Sequence, residues 1–193
     1  MTLNGMESKI ECYRLRRTDA VLFIIDIQEK LLPIMQNQSE TVKNTDVLLH
    51  AAQAYDIPVL YSEQYPKGLG ATVEPLRTRL SEQEAWGLAK TSYDAVLPEL
   101  RSYLQKLNRP QIVVTGMETH ICVYQTVRSL RALGYEVFLP ADAITSRDPA
   151  NKATALALLR DMGCIVTNTE CLLFDLIGDA KDPHFKALQG LIK

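Results

Sequence analysis

Three residues of different chemistry stand at the ends of three apolar runs in this sequence. Asp26 follows the run AVLFII at positions 20–25, Lys90 closes WGLAK at 86–90, and Cys122 comes shortly after QIVVT at 111–115. A carboxylate after so many nonpolar residues is headed for burial, which is costly unless a cation or hydrogen-bond donors meet it. An ammonium would satisfy that need and would also favour a thiolate. A carboxylate can in turn take a thiol proton and later return it to a leaving group. Together the three would make a sulfur nucleophile served by an acid–base pair. Each also has a plainer reading: Asp as a cap, Lys as a solvated charge, Cys as small buried filler.

What must bring them together is the order of the elements. Apolar, β-branched runs alternate with helix-like stretches, the pattern of βαβ units around a parallel sheet. Strands are predicted at 20–25, 57–61, 86–90, 111–115, 135–139 and 164–167. Helices are predicted at 39–55 with Ser39 as N-cap, at 97–107 entered through Pro98, at 119–133 stopped by Gly134, at 149–162, at 169–176 and at 183–192. The stretch 62–85, with Pro66, Gly68, Gly70 and Pro75 among charges, reads as a long irregular excursion with a short helix near its end. The fold class is therefore α/β: a three-layer, Rossmann-like open parallel sheet of about six strands with helices on both faces. Right-handed crossovers put the strand tips on one rim, where such sheets bind ligands. Asp26, Lys90 and Cys122 all fall on that rim. If Cys122 lies in the first turn of its helix, the unpaired N–H groups and the dipole there favour its thiolate.

The 193 residues suit one domain, 1–193, able to bury its own core. With 47% hydrophobic and 23% charged residues the composition is globular. A formal net charge of -2, without a cluster of basic and aromatic residues, points away from nucleic acid as a partner. No run has the length to span a membrane and the first twenty residues carry no signal-peptide core, so a cytoplasmic location is expected. Cys12, Cys122, Cys164 and Cys171 are widely spaced and form no C-x-x-C pair; all but Cys122 read as small buried residues. His50, His120 and His184 are too scattered for a metal cluster, so neither metal nor cofactor is expected. His120 is two residues from Cys122, and residues so spaced on a helix point apart, which argues against a Cys–His dyad. Gln64, Tyr65 and Tyr93 are candidates for lining a substrate pocket, with Glu63, Trp86 and Tyr124 as weaker ones, although an aromatic beside a strand more often packs into the core.

The segments VLFIIDIQEKL around Asp26, LAKTSYDAV around Lys90 and VVTGMETHICVYQTVRSL around Cys122 resemble the isochorismatase-like cysteine hydrolases, a group that includes nicotinamidases and N-carbamoylsarcosine amidase. The resemblance runs over roughly 19–193. YSEQYPKGLGATV and the ending DPHFKALQGLIK are most similar to the isochorismatase domain-containing proteins. It implies a triad of Asp26, Lys90 and Cys122, amide hydrolysis through a thioester on Cys122, a cis peptide near Met117-Glu118, and an oxyanion hole from the backbone N–H groups of Glu118 and Cys122. It also implies a homo-oligomer. One departure is plain: nicotinamidases hold a metal with Asp and His residues after the second strand, where this chain has SEQYPKGLG and no histidine. The expected activity is metal-independent hydrolysis of a small amide-like substrate. The alternative is a catalytically idle member that acts as a binding or interaction protein, whose Cys122 would alkylate no faster than an ordinary thiol.

Overall fold

The structure, a computed structural model, describes residues 10–193. The first apolar run forms β1 (Ala20–Ile25), buried on both sides throughout. Its side chains alternate between two cores. Leu22 and Ile24 join Val47, Leu48 and Leu49, while Val21, Phe23 and Ile25 join Leu100, Leu104, Val127 and Leu130. A strand with two buried faces has no polar side, which is why the run reads as continuously apolar.

Six further strands follow: β2 (Val59–Gln64), β3 (Trp86–Lys90), β4 (Gln111–Met117), β5 (Glu136–Pro140), β6 (Ile144–Thr145) and β7 (Ile165–Thr167). All pair in parallel, in the order β3-β2-β1-β4-β5-β7, with β6 against the end of β4. The chain winds outward from β1 to β2 and β3, then returns to β4 on its other side. The β1/β4 boundary is thus the topological switch point, where a crevice opens beyond the strand tips. One core layer contains α1 (Gln38–Ala54), α3 (Leu76–Glu82), α7 (Thr169–Ile177) and α8 (Phe185–Gly190); the other contains α4 (Pro98–Leu107), α5 (Tyr124–Ala132) and α6 (Pro149–Asp161). The four-residue α2 (Pro66–Leu69) lies in the excursion after β2. Among the described residues no helix is long and apolar enough to cross a membrane.

The expected fold class holds, with seven strands instead of about six. The addition, β6, is two residues long and too short to show as a periodic run. Strand β2 starts at Val59, after Pro58, and continues through Gln64, so three residues assigned to the excursion are strand. The rest of that segment holds two short helices, not one. Ser39 is not a cap: α1 begins at Gln38, after Asn37 in the left-handed region at φ 50°. The helix expected from 119 starts as a π-helical turn, Thr119–Val123, and becomes α-helical at Tyr124. Cys171 is exposed on α7, not buried.

Candidate active site

Asp26 is the first residue beyond β1 and takes φ 54°, a left-handed conformation that Asp tolerates better than most residues. Its carboxylate is fully buried. Oδ2 accepts from Lys90 Nζ at 2.7 Å and Oδ1 from Ser62 Oγ at 2.7 Å, so each oxygen has a donor. Lys90, the last residue of β3, arrives from the sheet edge; its Nζ also donates to Gln64 Oε1 at 2.7 Å. Both charged side chains of the pair have 0% exposure. Taking two charges fully out of water costs several kcal/mol each before their attraction is counted, so stability alone is a weak reason to keep such a pair.

Cys122 approaches from β4. At Gly116, φ is 121°, and a Cβ there would sit 2.0 Å from the Ile25 carbonyl oxygen. Only glycine permits this approach, which presses the end of β4 against the residue before Asp26. The Met117-Glu118 peptide is cis, as the resemblance implies, and the π-helical turn with Cys122 follows at once. That turn and the residue before it are fastened to the end of β6 and the segment that follows: Thr119 Oγ1 donates to the Thr145 carbonyl at 3.0 Å, His120 Nδ1 meets Ser146 Oγ at 3.0 Å, and Glu118 Oε2 accepts from the Arg147 N–H at 3.1 Å.

Cys122 is buried, 5% exposed, with its thiol near Asp26. Burial, first of all, pushes that thiol up to about 12 from an ordinary 9.0. The Asp26 charge and a hydrogen bond to Asp26 push the same way, and Lys90 only partly offsets them. Here the structure departs from the sequence argument, in which the ammonium and the helix start favour a resting thiolate. Lys90 is already neutralised by Asp26, and the desolvated sulfur keeps its proton. The arrangement is a neutral thiol hydrogen-bonded to a carboxylate, able to hand over its proton when a bond forms to sulfur.

A model of the Isochorismatase domain matches residues 20–171. The chain belongs to the isochorismatase family. Isochorismatase domain-containing protein 1 of Salmo salar is 38% identical over 178 residues, and these cover 90% of this chain but only 60% of that protein's length. Isochorismatase domain-containing protein 2 of Xenopus laevis is 36% identical over 180 residues, 93% of this chain and 86% of that one. Among solved structures, the MAR1 ribonuclease from Caenorhabditis elegans superposes with a TM-score of 0.85 at 31% identity, over 93% of this chain and 92% of that chain.

Within this isochorismatase-family chain, other sequence candidates fall in different places. Gln64 stands beside Lys90, whereas Tyr65 and Tyr93 are more than half exposed, with the Tyr65 N–H donating to the Lys90 carbonyl at 2.7 Å. Glu63 is held by the N–H and hydroxyl of Thr72. Trp86 stacks on Tyr103, with ring centroids 4.9 Å apart, and packs instead of lining a pocket. His120 bonds Ser146, leaving no Cys–His dyad. Ser62 and Gln28, both buried, escape the sequence reading. Ser62 had a signal in its place near the tip of β2, and Gln28 in its spacing of two from Asp26. A cavity of about 690 Å³ opens on the opposite rim, around Arg14, Thr18 and Lys181. It lies near the start of β1, roughly 20 Å from Asp26 by the length of a six-residue strand.

Proposed function

We propose that this protein is a cysteine hydrolase of a small amide-like substrate. As Cys122 Sγ attacks the substrate carbonyl carbon, its proton passes to the Asp26 carboxylate. The carbonyl electron pair moves onto oxygen, where the backbone N–H groups of Glu118 and Cys122 hold the charge. Collapse of the tetrahedral adduct re-forms the carbonyl and breaks the C–N bond, and Asp26 returns the proton to the departing amine. A thioester on Cys122 remains. Water, deprotonated by Asp26, then attacks it; the carboxylic acid leaves and sulfur regains its proton. Lys90 offsets the negative charge that gathers during both steps. Two of its three N–H donors are used among the described residues, so one is left for a substrate atom. No metal is needed for these steps.

The observation that carries this reading is the buried Asp26–Lys90 pair with the Cys122 thiol on the same carboxylate. The test is hydrolysis of a panel of small amides by wild type and by Cys122→Ala. Loss of at least about 10³-fold in kcat is expected. Full turnover by the variant would sink the nucleophile, and no wild-type turnover on any amide would favour the idle binding protein. Alkylation cannot separate the two, since a thiol pushed to about 12 reacts slowly with iodoacetamide at neutral pH in either case. The name of the C. elegans structure makes RNA the rival substrate class. Net charge of -2 argues for a small acyl compound instead, and an RNA arm in the same assay decides between them.

A further inference from the structure

Two glutamines connect the triad to the segment after β2, and each has its amide orientation set by its partners. Gln64 Nε2 donates to the Thr91 carbonyl at 2.8 Å. Since a carbonyl oxygen only accepts, the NH₂ end of the amide must face Thr91, which presents Oε1 to Lys90 Nζ, 2.7 Å away. Gln28, with 0% exposure, fixes Gln64 in turn. Its Oε1 accepts from the Gln64 N–H at 2.8 Å, and its Nε2 donates to the carbonyls of Gln64 at 3.0 Å and Gly70 at 2.7 Å. Only an amide both accepts once and donates twice in this way. Glutamate, of the same shape, could accept but could not make both donations.

We infer that Gln28 and Gln64 are positioning residues that hold the Lys90 ammonium on Asp26, Gln64 directly and Gln28 through the Gln64 backbone. This rests on the hydrolase reading and assigns Gln64 a task other than lining a substrate pocket. An ammonium removed from water needs an acceptor for each donor it can satisfy, and Asp26 alone supplies one. The Gln64 carbonyl adds a second and fixes the direction from which Lys90 reaches Asp26. Losing it frees the ammonium to swing, and Asp26 then meets the Cys122 proton without a cation held against it. Gly70 extends the chain of contacts to the 66–72 segment, which the antiparallel bridge Gln28↔Thr72 and the Lys30 N–H to the Leu69 carbonyl also attach to the residues after Asp26.

Two measurements on Gln64→Leu, Gln28→Glu and Gln64→Glu test the assignment. The first is the rate at which an amine-acylating reagent labels Lys90, followed by peptide mass spectrometry with exposed Lys67 as internal reference; it needs no substrate. In Gln64→Leu and Gln28→Glu, Lys90 should label at least about tenfold faster than in wild type, while Gln64→Glu, which keeps an oxygen for the ammonium, stays within about threefold. The second is kcat against KM on a substrate that wild type hydrolyses: kcat should fall about 10- to 100-fold in the first two variants with KM within about threefold. Unchanged Lys90 labelling in Gln64→Leu, or a tenfold higher KM with kcat retained, would overturn it. Were wild type to hydrolyse nothing, the hydrolase reading would fall, and labelling alone would still decide whether the glutamines hold Lys90. Should Gln28→Glu fail to fold, Gln64→Leu carries the test, because Gln64 is only partly buried.

Discussion

Two ion pairs on opposite rims of the sheet have nearly equal lengths and opposite surroundings. Lys90–Asp26 closes at 2.7 Å at the strand tips, and Arg17–Asp182 at 2.6 Å beyond the strand starts. The Arg17 side chain is 39% exposed, and its guanidinium lies 3.8 Å over the Tyr55 ring while donating to the carbonyls of Leu176 and Ile177 at the end of α7. A planar fork that caps a helix C-terminus, stacks on an aromatic and keeps contact with water is a structural tie between distant parts of the chain. Lys90 caps nothing and touches no water; its partners are a carboxylate, an amide and the neighbourhood of a thiol. Length does not tell the pairs apart. Solvation and the identity of the third group do.

The sharpest way to break the contrast is to remove one cation from each rim. Lys90→Met should lower kcat at least about 10³-fold and destabilise the fold by about 3–5 kcal/mol, since it strands a buried carboxylate. Arg17→Met should keep kcat within about twofold and lower Tm by only a few degrees. Kinetics and thermal melts on both variants check this, and equal kinetic losses would erase the distinction.

Next in size is Gly116→Ala. A methyl group placed 2.0 Å from the Ile25 carbonyl oxygen forces β4 away from β1 at the Asp26 rim, so we expect Tm to fall by more than about 10 degrees and turnover to be lost. Gly134, at the other rim, has nothing near its Cβ direction, but its φ of 90° strains any side chain. Its alanine variant should cost about 1–2 kcal/mol and leave kcat intact, which denaturant titration would show.

Alkaline pH separates the rims less strongly. The Cys122 thiol is raised from 9.0 to about 12, mainly by burial, and Tyr55 from 10.0 to about 12, by burial and its bond to Asp182. A folded-state pKa above the unfolded one means that the folded chain holds the proton more tightly. That contribution is complete below the unfolded value and is lost as pH rises toward the folded one. Stability should therefore fall between pH 9 and 12, by up to about 1.4 kcal/mol per pH unit for the buried thiol and by less for Tyr55, which solvent partly screens. In Cys122→Ala the part of the loss that begins near pH 9 should shrink, and in Tyr55→Phe the part that begins near pH 10. Melts across pH 8–12 measure both. Among the changes at the Asp26 rim the smallest effect is expected from Ser62→Ala, which removes one donor from Asp26 Oδ1: about 1–2 kcal/mol of stability and a three- to tenfold drop in kcat.

The sequence by itself determined the alternation of elements, the parallel sheet and the three residues at its tips, because apolar periodicity and connection rules are local statements that survive without coordinates. It did not determine β6, whose two residues carry no period, or the π-helical form of the turn at Cys122. It set the Lys90 ammonium and the helix start beside Cys122 without the desolvation that opposes them, and so favoured a thiolate where the buried thiol keeps its proton. Only the tertiary structure decided that balance, because burial and the competition of Asp26, Ser62 and Gln64 for the same charges are sums over partners far apart in the chain. Gln28 and Gln64 belong to the same class of fact. An amide names what it can bond, and only the packed fold says what it does bond.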